Sequence, residues 1–339
     1  MLRSMHATTP RKSMLNVIRV STLLVLALAA AAGQAQQSGS RITEPPPPPP
    51  LRWQAERDLL DGAMRGQALT ATDPRGLWIA GTLDTGDPVG QVASFAQARS
   101  QAPSEKVFLA SLATACLAPV QPLPDACDAT DRLADWASRD VDNGVPMLLL
   151  ADRARQRNNA ASMTALLEEA ATRPRFDDYW NQGALFIWEA VRALPGGTDP
   201  AAKAELAASY GVLHESYAVR QMPLLCRDAR RLSDDLRAAC HAAGAAVAQR
   251  AANWSLRIAG ARLAERSAAA GPALSAAQAQ LSDTQRRAFE CAEAGNPIAA
   301  ALGSSDAAVR ARAVAQWEAR LVQDARVGEV AACGGQTKG

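Results

Sequence analysis

Helix-start signals recur along this chain, and no stretch alternates with the two-residue period of a strand. Asp73-Pro74, Asp87-Pro88 and Thr198-Asp199-Pro200 each join an Asp that can cap free backbone N–H groups to a proline already fixed in helical φ. Between such signals the apolar residues return at helical spacing: Leu59, Leu60, Met64 and Leu69 in one segment, Val92, Phe95 and Ala96 in another. The pattern predicts helices over 53–69, from 74, from 88, and over 104–116, 124–138, 145–157, 160–172, 177–194, 200–219, 232–249, 254–269, 276–292 and 305–324. Short turns between them favour antiparallel neighbours. The expected fold is therefore all-α, a single domain over 51–335. It is built of stacked antiparallel helical hairpins in an α-solenoid-like, repeat-like order.

The first 35 residues read differently. A basic start (Arg3, Arg11, Lys12, Arg19) leads into an apolar stretch from Val20 to Ala32 and the small-x-small sequence Gly33-Gln34-Ala35. That is the pattern of a secretory signal peptide cut after Ala35. The apolar stretch is shorter than the roughly 20 residues a membrane-spanning helix needs. Cleavage would leave 32 basic and 34 acidic residues, so the basic surface that nucleic-acid binding needs is not expected. Residues 36–50 form a proline-rich linker, expected to be disordered apart from Pro45 to Pro50. Six consecutive prolines make a stiff spacer of about 19 Å. The protein is expected in the periplasm or secreted, with no membrane span after cleavage.

All six cysteines lie beyond the signal: Cys116, Cys127, Cys226, Cys240, Cys291 and Cys333. An even count in an oxidising compartment argues for disulfides, although six cysteines admit 15 pairings. Pairing in sequence order fits the helix boundaries best. Cys116–Cys127 and Cys226–Cys240 would each pin a corner, and Cys291–Cys333 would tie the C-terminus to the last helices. No pair has CxxC spacing, and only His214 and His241 follow the signal, so neither a metal centre nor a redox dithiol is expected. No cofactor is expected either.

One stretch, 142–174, resembles a tetratricopeptide repeat. Leu150-Ala151 stands where that family has its Leu-Gly pair, and Ala154 stands where the family has its large residue a turn later. Leu167 and Ala170 match packing positions of the second helix, and Pro174 lies one residue from the closing proline. Met163 departs from the small residue usual at its position. The resemblance covers about one tenth of the chain and implies a binding scaffold without naming a partner.

Motifs that carry chemistry are missing. GxSxG, GxxxxGK[ST], HExxH and GxGxxG do not occur, and His214-Glu215 is followed by Ala218 where a zinc protease has histidine. The carboxylate pairs Glu168-Glu169, Asp177-Asp178 and Asp234-Asp235 are adjacent residues that point apart on a helix. The last two pairs lie near helix starts, where negative charge complements the dipole. The segment 176–222 is the densest in aromatic and polar side chains. It holds Phe176, Tyr179, Trp180, Phe186 and Trp188, then Tyr210, His214 and Tyr217 at spacings that share a helical face. Trp180, Trp188, Tyr210, His214 and Tyr217 are thus candidate ligand-binding residues, and core packing between two helices is the competing reading. The expected function is an exported, non-catalytic scaffold binding an envelope or secreted protein or peptide. A periplasmic enzyme acting on cell-wall or peptide substrates and a small-ligand-binding protein are the alternatives.

Overall fold

The computed structural model describes residues 52–84, 86–117, 127–196, 199–213, 217–227 and 232–336. The signal and linker readings for 1–50 therefore lie outside the described residues. Within them the chain forms helices α1 (Arg52–Leu69), α2 (Pro74–Leu83), α3 (Pro88–Gln101), α4 (Lys106–Ala115) and α5 (Ala129–Arg139). These are followed by α6 (Val145–Gln156), α7 (Ala160–Thr172), α8 (Trp180–Ala193), α9 (Pro200–Leu213) and α10 (Tyr217–Leu225). The chain ends in α11 (Asp234–Arg250), α12 (Trp254–Ser267), α13 (Pro272–Leu302), α14 (Ala307–Val327) and α15 (Glu329–Gln336). Two isolated bridges, Asn143 with Arg175 and Phe176 with Ala251, are the only β-type pairings among the described residues. The all-α expectation holds.

The start signals work as caps. Asp73 accepts from the N–H groups of Arg75 and Gly76 at 3.1 and 3.0 Å, Asp87 from Val89 at 3.0 Å, and Asp199 from Ala201 at 2.9 Å. Each satisfies donors that the first helical turn leaves open. Two C-terminal features depart from the pattern. α13 runs from Pro272 to Leu302, through Gly295-Asn296-Pro297 and well past the expected end at 292. α15 is a further short helix that no start signal announced.

Successive helices pack in series from α1 to α7, and again from α11 to α15. Other contacts cross this order: α7 packs on α11, α9 on α1, and α14 on both α8 and α9. The core between them holds Trp78, Trp136, Trp188, Phe108, Phe176 and Met64, all under 3% exposed. Trp78 meets Phe186 edge to face at 5.9 Å and donates its indole N–H to Ser111 Oγ at 2.8 Å, so its polar atom is satisfied in the interior.

Three disulfides join the cysteines in sequence order: Cys116–Cys127, Cys226–Cys240 and Cys291–Cys333. The third ties α15 to the middle of α13. On chain entropy, loops of these sizes contribute roughly 3–4 kcal/mol each.

The most extensive helix–helix contact joins α11 and α12, and two glycines permit it. A Cβ on Gly244 would stand 2.5 Å from the backbone N of Ala264, and one on Gly260 would stand 2.6 Å from Cβ of Val247. Backbone on backbone has nowhere to yield. Gly62, in the exposed middle of α1, would meet nothing within 4 Å. The same substitution should therefore change sign. Gly62→Ala is expected to stabilise by about 0.5–1 kcal/mol through helix propensity, and Gly244→Ala to destabilise by about 1–2 kcal/mol through overpacking. Urea unfolding of both variants measures this, and a neutral Gly244→Ala would contradict the close crossing.

Candidate functional site

Four inter-helix loops lie side by side at one end of the helices, laced by backbone hydrogen bonds. Gly144 N donates to Arg175 O at 2.9 Å, Ala252 N to Phe176 O at 2.9 Å, and Val330 N to Ala252 O at 3.1 Å. This lacing brings together residues 140–144, 175–179, 251–253 and 328–330, which are far apart in sequence.

At the centre of the first two loops is Asp140, 2% exposed, at the C-terminal end of α5. Its carboxylate accepts from Trp136 Nε1 at 3.2 Å, Lys106 Nζ at 2.9 Å, Asn143 Nδ2 at 2.9 Å and the Tyr179 hydroxyl at 2.5 Å. Arg175 completes the set with a short ion pair. Burial opposes ionisation, but the donors from Tyr179, Lys106 and Asn143, with the charge of Arg175, outweigh it and hold the carboxyl below its usual range. Burial, then the neighbouring Asp140 carboxylate, drives the Tyr179 phenol well above its ordinary value. Asn143, 1% exposed, uses both ends of its amide. It donates to Asp177 O at 2.6 Å and accepts from the N–H groups of Val145 at 3.1 Å and Asp177 at 3.0 Å.

Tyr179 sits at the start of α8 with φ 62° and ψ 20°, a left-handed conformation that non-glycine residues rarely adopt. The Asp140 hydrogen bond and the tilted contact with the Trp136 ring, 6.4 Å between centroids, hold it there. Such strain persists only where surrounding contacts over-determine it.

Beside this node opens a cleft of about 390 Å³, walled by the start of α8, the ends of α11 and α14, and the first turns of α12 and α15. Four arginines (Arg175, Arg250, Arg257, Arg326) and two carboxylates (Asp177, Asp324) line it, with Ala251, Ala252, Val327 and Val330 as apolar wall. Arg175 is committed to Asp140 and lies 3.6 Å from Asp177. Burial, then repulsion from Asp178, pushes the Asp177 carboxyl up to about 6. Asp324 is likewise pushed up to about 6 by burial, against the pull of Arg320 at 3.7 Å. One of its buried oxygens has no hydrogen-bond donor among the described residues.

The aromatic residues singled out in sequence do not share an open face. Trp188 is 2% exposed and packs edge-on against Trp317 of α14 at 4.9 Å. Tyr210, also 2% exposed, turns to α1, where its hydroxyl bonds Asp61. Tyr217 is half-buried on α10, which packs on α6 and α12, while α9 with Tyr210 packs on α8 and α1. Trp180 is half-buried at the start of α8, its N–H 3.2 Å from Asp178 Oδ1. His214 lies outside the described residues. Spacing alone placed Tyr210, His214 and Tyr217 on one face, but Tyr210 and Tyr217 belong to separate helices with different neighbours.

Sequence reasoning reached the edges of the site. Asp177 was legible as a residue near a helix start, and Tyr179 as one of an aromatic cluster. Asp140, Arg175, Arg250, Arg257 and Arg326 carried no local signal. Among the described residues no group of three or more His, Cys, Asp or Glu side chains is arranged to hold a metal ion. Comparison with protein-family models, with curated proteins and with solved structures finds no match for this chain.

Two outcomes test this arrangement. Asp140→Ala removes the acceptor on which Lys106, Arg175 and Tyr179 converge and should destabilise by about 3 kcal/mol, whereas Tyr179→Phe loses two hydrogen bonds, one given to Asp140 and one taken from Arg175, about 1–2 kcal/mol. Chemical denaturation of both variants gives the order, and a reversed order would refute the central role of Asp140. For Asp324 the folded carboxyl, near 6, holds its proton more tightly than the unfolded one at 3.8. Stability therefore falls as pH rises from about 4 through 6, and the penalty is complete above that range. With solvent screening, Asp324→Asn should gain roughly 1–2 kcal/mol at pH 8 and close to nothing at pH 4. Thermal melts across that range check the sign.

Proposed function

We propose that this protein is an exported, non-catalytic helical scaffold that binds an envelope or secreted protein or peptide. The observation that carries this reading is the cleft at the loop end, where Arg257 and Arg326 face open space without a carboxylate partner among the described residues. The other charged groups of the loop end are largely spent on internal pairs, which suits a recognition surface on a rigid frame. Series packing from α1 to α7 supports reading the helices as stacked hairpins, with the tetratricopeptide-like unit at 142–174 as one of them.

Three disulfides support a life outside the reducing cytosol, in the periplasm or secreted. No helix of the described residues is long and apolar enough to cross a membrane. The Tyr210 hydroxyl, spent on Asp61 in a buried position, favours a packing role for the aromatic segment over a catalytic one.

Expression of the full chain with a C-terminal tag in its own host tests both halves. The intact mass should correspond to a chain beginning at Gln36 with three disulfides. The tagged protein should co-purify from the envelope fraction with a stoichiometric protein or peptide that rebinds when both are purified. A mass retaining residues 1–35 would remove the export reading. A chain that rebinds nothing would remove the scaffold reading.

A further inference from the structure

The charge in the cleft does not balance locally. Arg175 is answered by Asp140 and Asp177, and Asp324 by Arg320. Arg250 donates to the carbonyls of Arg173 and Ala171 and lies over the Phe176 ring, so it too lacks a carboxylate among the described residues. Arg257 is the most telling group. It is half-buried, its Nε is held by Ala251 O at 2.9 Å, and its guanidinium lies 5.7 Å from the Trp254 ring centroid. Burial, then the charge of a second cation, Arg287, lowers its affinity for its own proton. A cation drawn partly out of water beside a second cation costs free energy unless an anion completes the site. With Nε anchored to the backbone, its two terminal nitrogens remain as a fixed fork, the geometry that accepts a carboxylate in bidentate fashion. Arg326, exposed at the end of α14, lines the same cleft.

We propose that this cleft recognises a carboxylate of an acidic peptide segment, with Arg257 and Arg326 as the binding cations. The inference rests on the scaffold reading above and assigns it a site and a ligand class. A cavity of about 390 Å³ holds a few residues of an extended peptide. The apolar wall of Ala251, Ala252, Val327 and Val330 suits the peptide's own backbone and Cβ atoms. Asp177 and Asp324 in the same lining repel a dianionic phosphate more than a singly charged carboxylate, which sets peptide carboxylates apart from phosphorylated ligands.

The test is calorimetric titration of the full exported chain with a capped tetraglutamate peptide, with its tetraglutamine twin, citrate and inorganic phosphate at matched ionic strength as controls. One saturable site for tetraglutamate is expected, with none for tetraglutamine. Citrate and phosphate should each bind at least about tenfold more weakly. Arg326→Glu should weaken tetraglutamate binding by about tenfold or more, and Asp324→Asn should tighten it several-fold. Arg326 has no ion-pair partner among the described residues, so its variant should melt like the parent. Failure of tetraglutamate to saturate, equal affinity in Arg326→Glu, or binding of citrate or phosphate as tight as the peptide would overturn the assignment. A captured partner that Arg326→Glu binds as well as the parent would refute this site and leave the scaffold reading standing. Tetraglutamate binding without any protein or peptide partner would do the reverse.

Discussion

The buried carboxylate of Asp140 is the interaction around which the loop end of this protein is arranged. An ionised group with 2% exposure survives only when donors surround it, and here they come from α4, α5, the turn before α6, and the segment leading into α8. Together the donors constrain the ends of three helices. Lys106 sets the start of α4, Trp136 the last turn of α5, and Arg175 and Tyr179 the strained entry into α8. The left-handed conformation of Tyr179 follows from this convergence, because the chain must turn sharply to put the phenol on Asp140 and still begin a helix with the next residue.

Two other devices hold what Asp140 does not reach. The glycine crossing of α11 and α12 lets two backbones approach closely, and α11 carries that contact across to α7. The disulfide between Cys291 and Cys333 holds α15 against α13 and so fixes the far wall of the cleft. The cleft is thus bordered by a hydrogen-bonded node, a tight helix pair and a covalent staple. Arg257 and Arg326 are presented from this frame, and little ordering would remain for a ligand to impose on it.

The aromatic residues show how packing redistributes what spacing collects. Trp188 is buried against Trp317 of α14 and Tyr210 against α1, where its hydroxyl finds Asp61. The arginines followed the opposite logic. The sequence holds 32 arginines and only 4 lysines, a background against which no single arginine stands out. Arg257 becomes distinctive only in space, half-buried in the cleft wall without an ion pair among the described residues.

The sequence by itself determined the local features: helices where apolar residues recur at helical spacing, starts where Asp precedes Pro, and cysteine pairs that staple adjacent corners. These depend on interactions within a few turns of chain, such as the Asp73 cap or the Cys116–Cys127 loop, so they can be read along it. The length of α13 escaped because the helix continues through Gly295-Asn296-Pro297, residues that local propensity disfavours in a helix interior. The tertiary structure alone decided the Asp140 node, the strained turn at Tyr179 and the charge imbalance of the cleft. Those arise from residues 140, 175, 257 and 326 meeting across loops, and both burial and electrostatic partnership are properties of position in space.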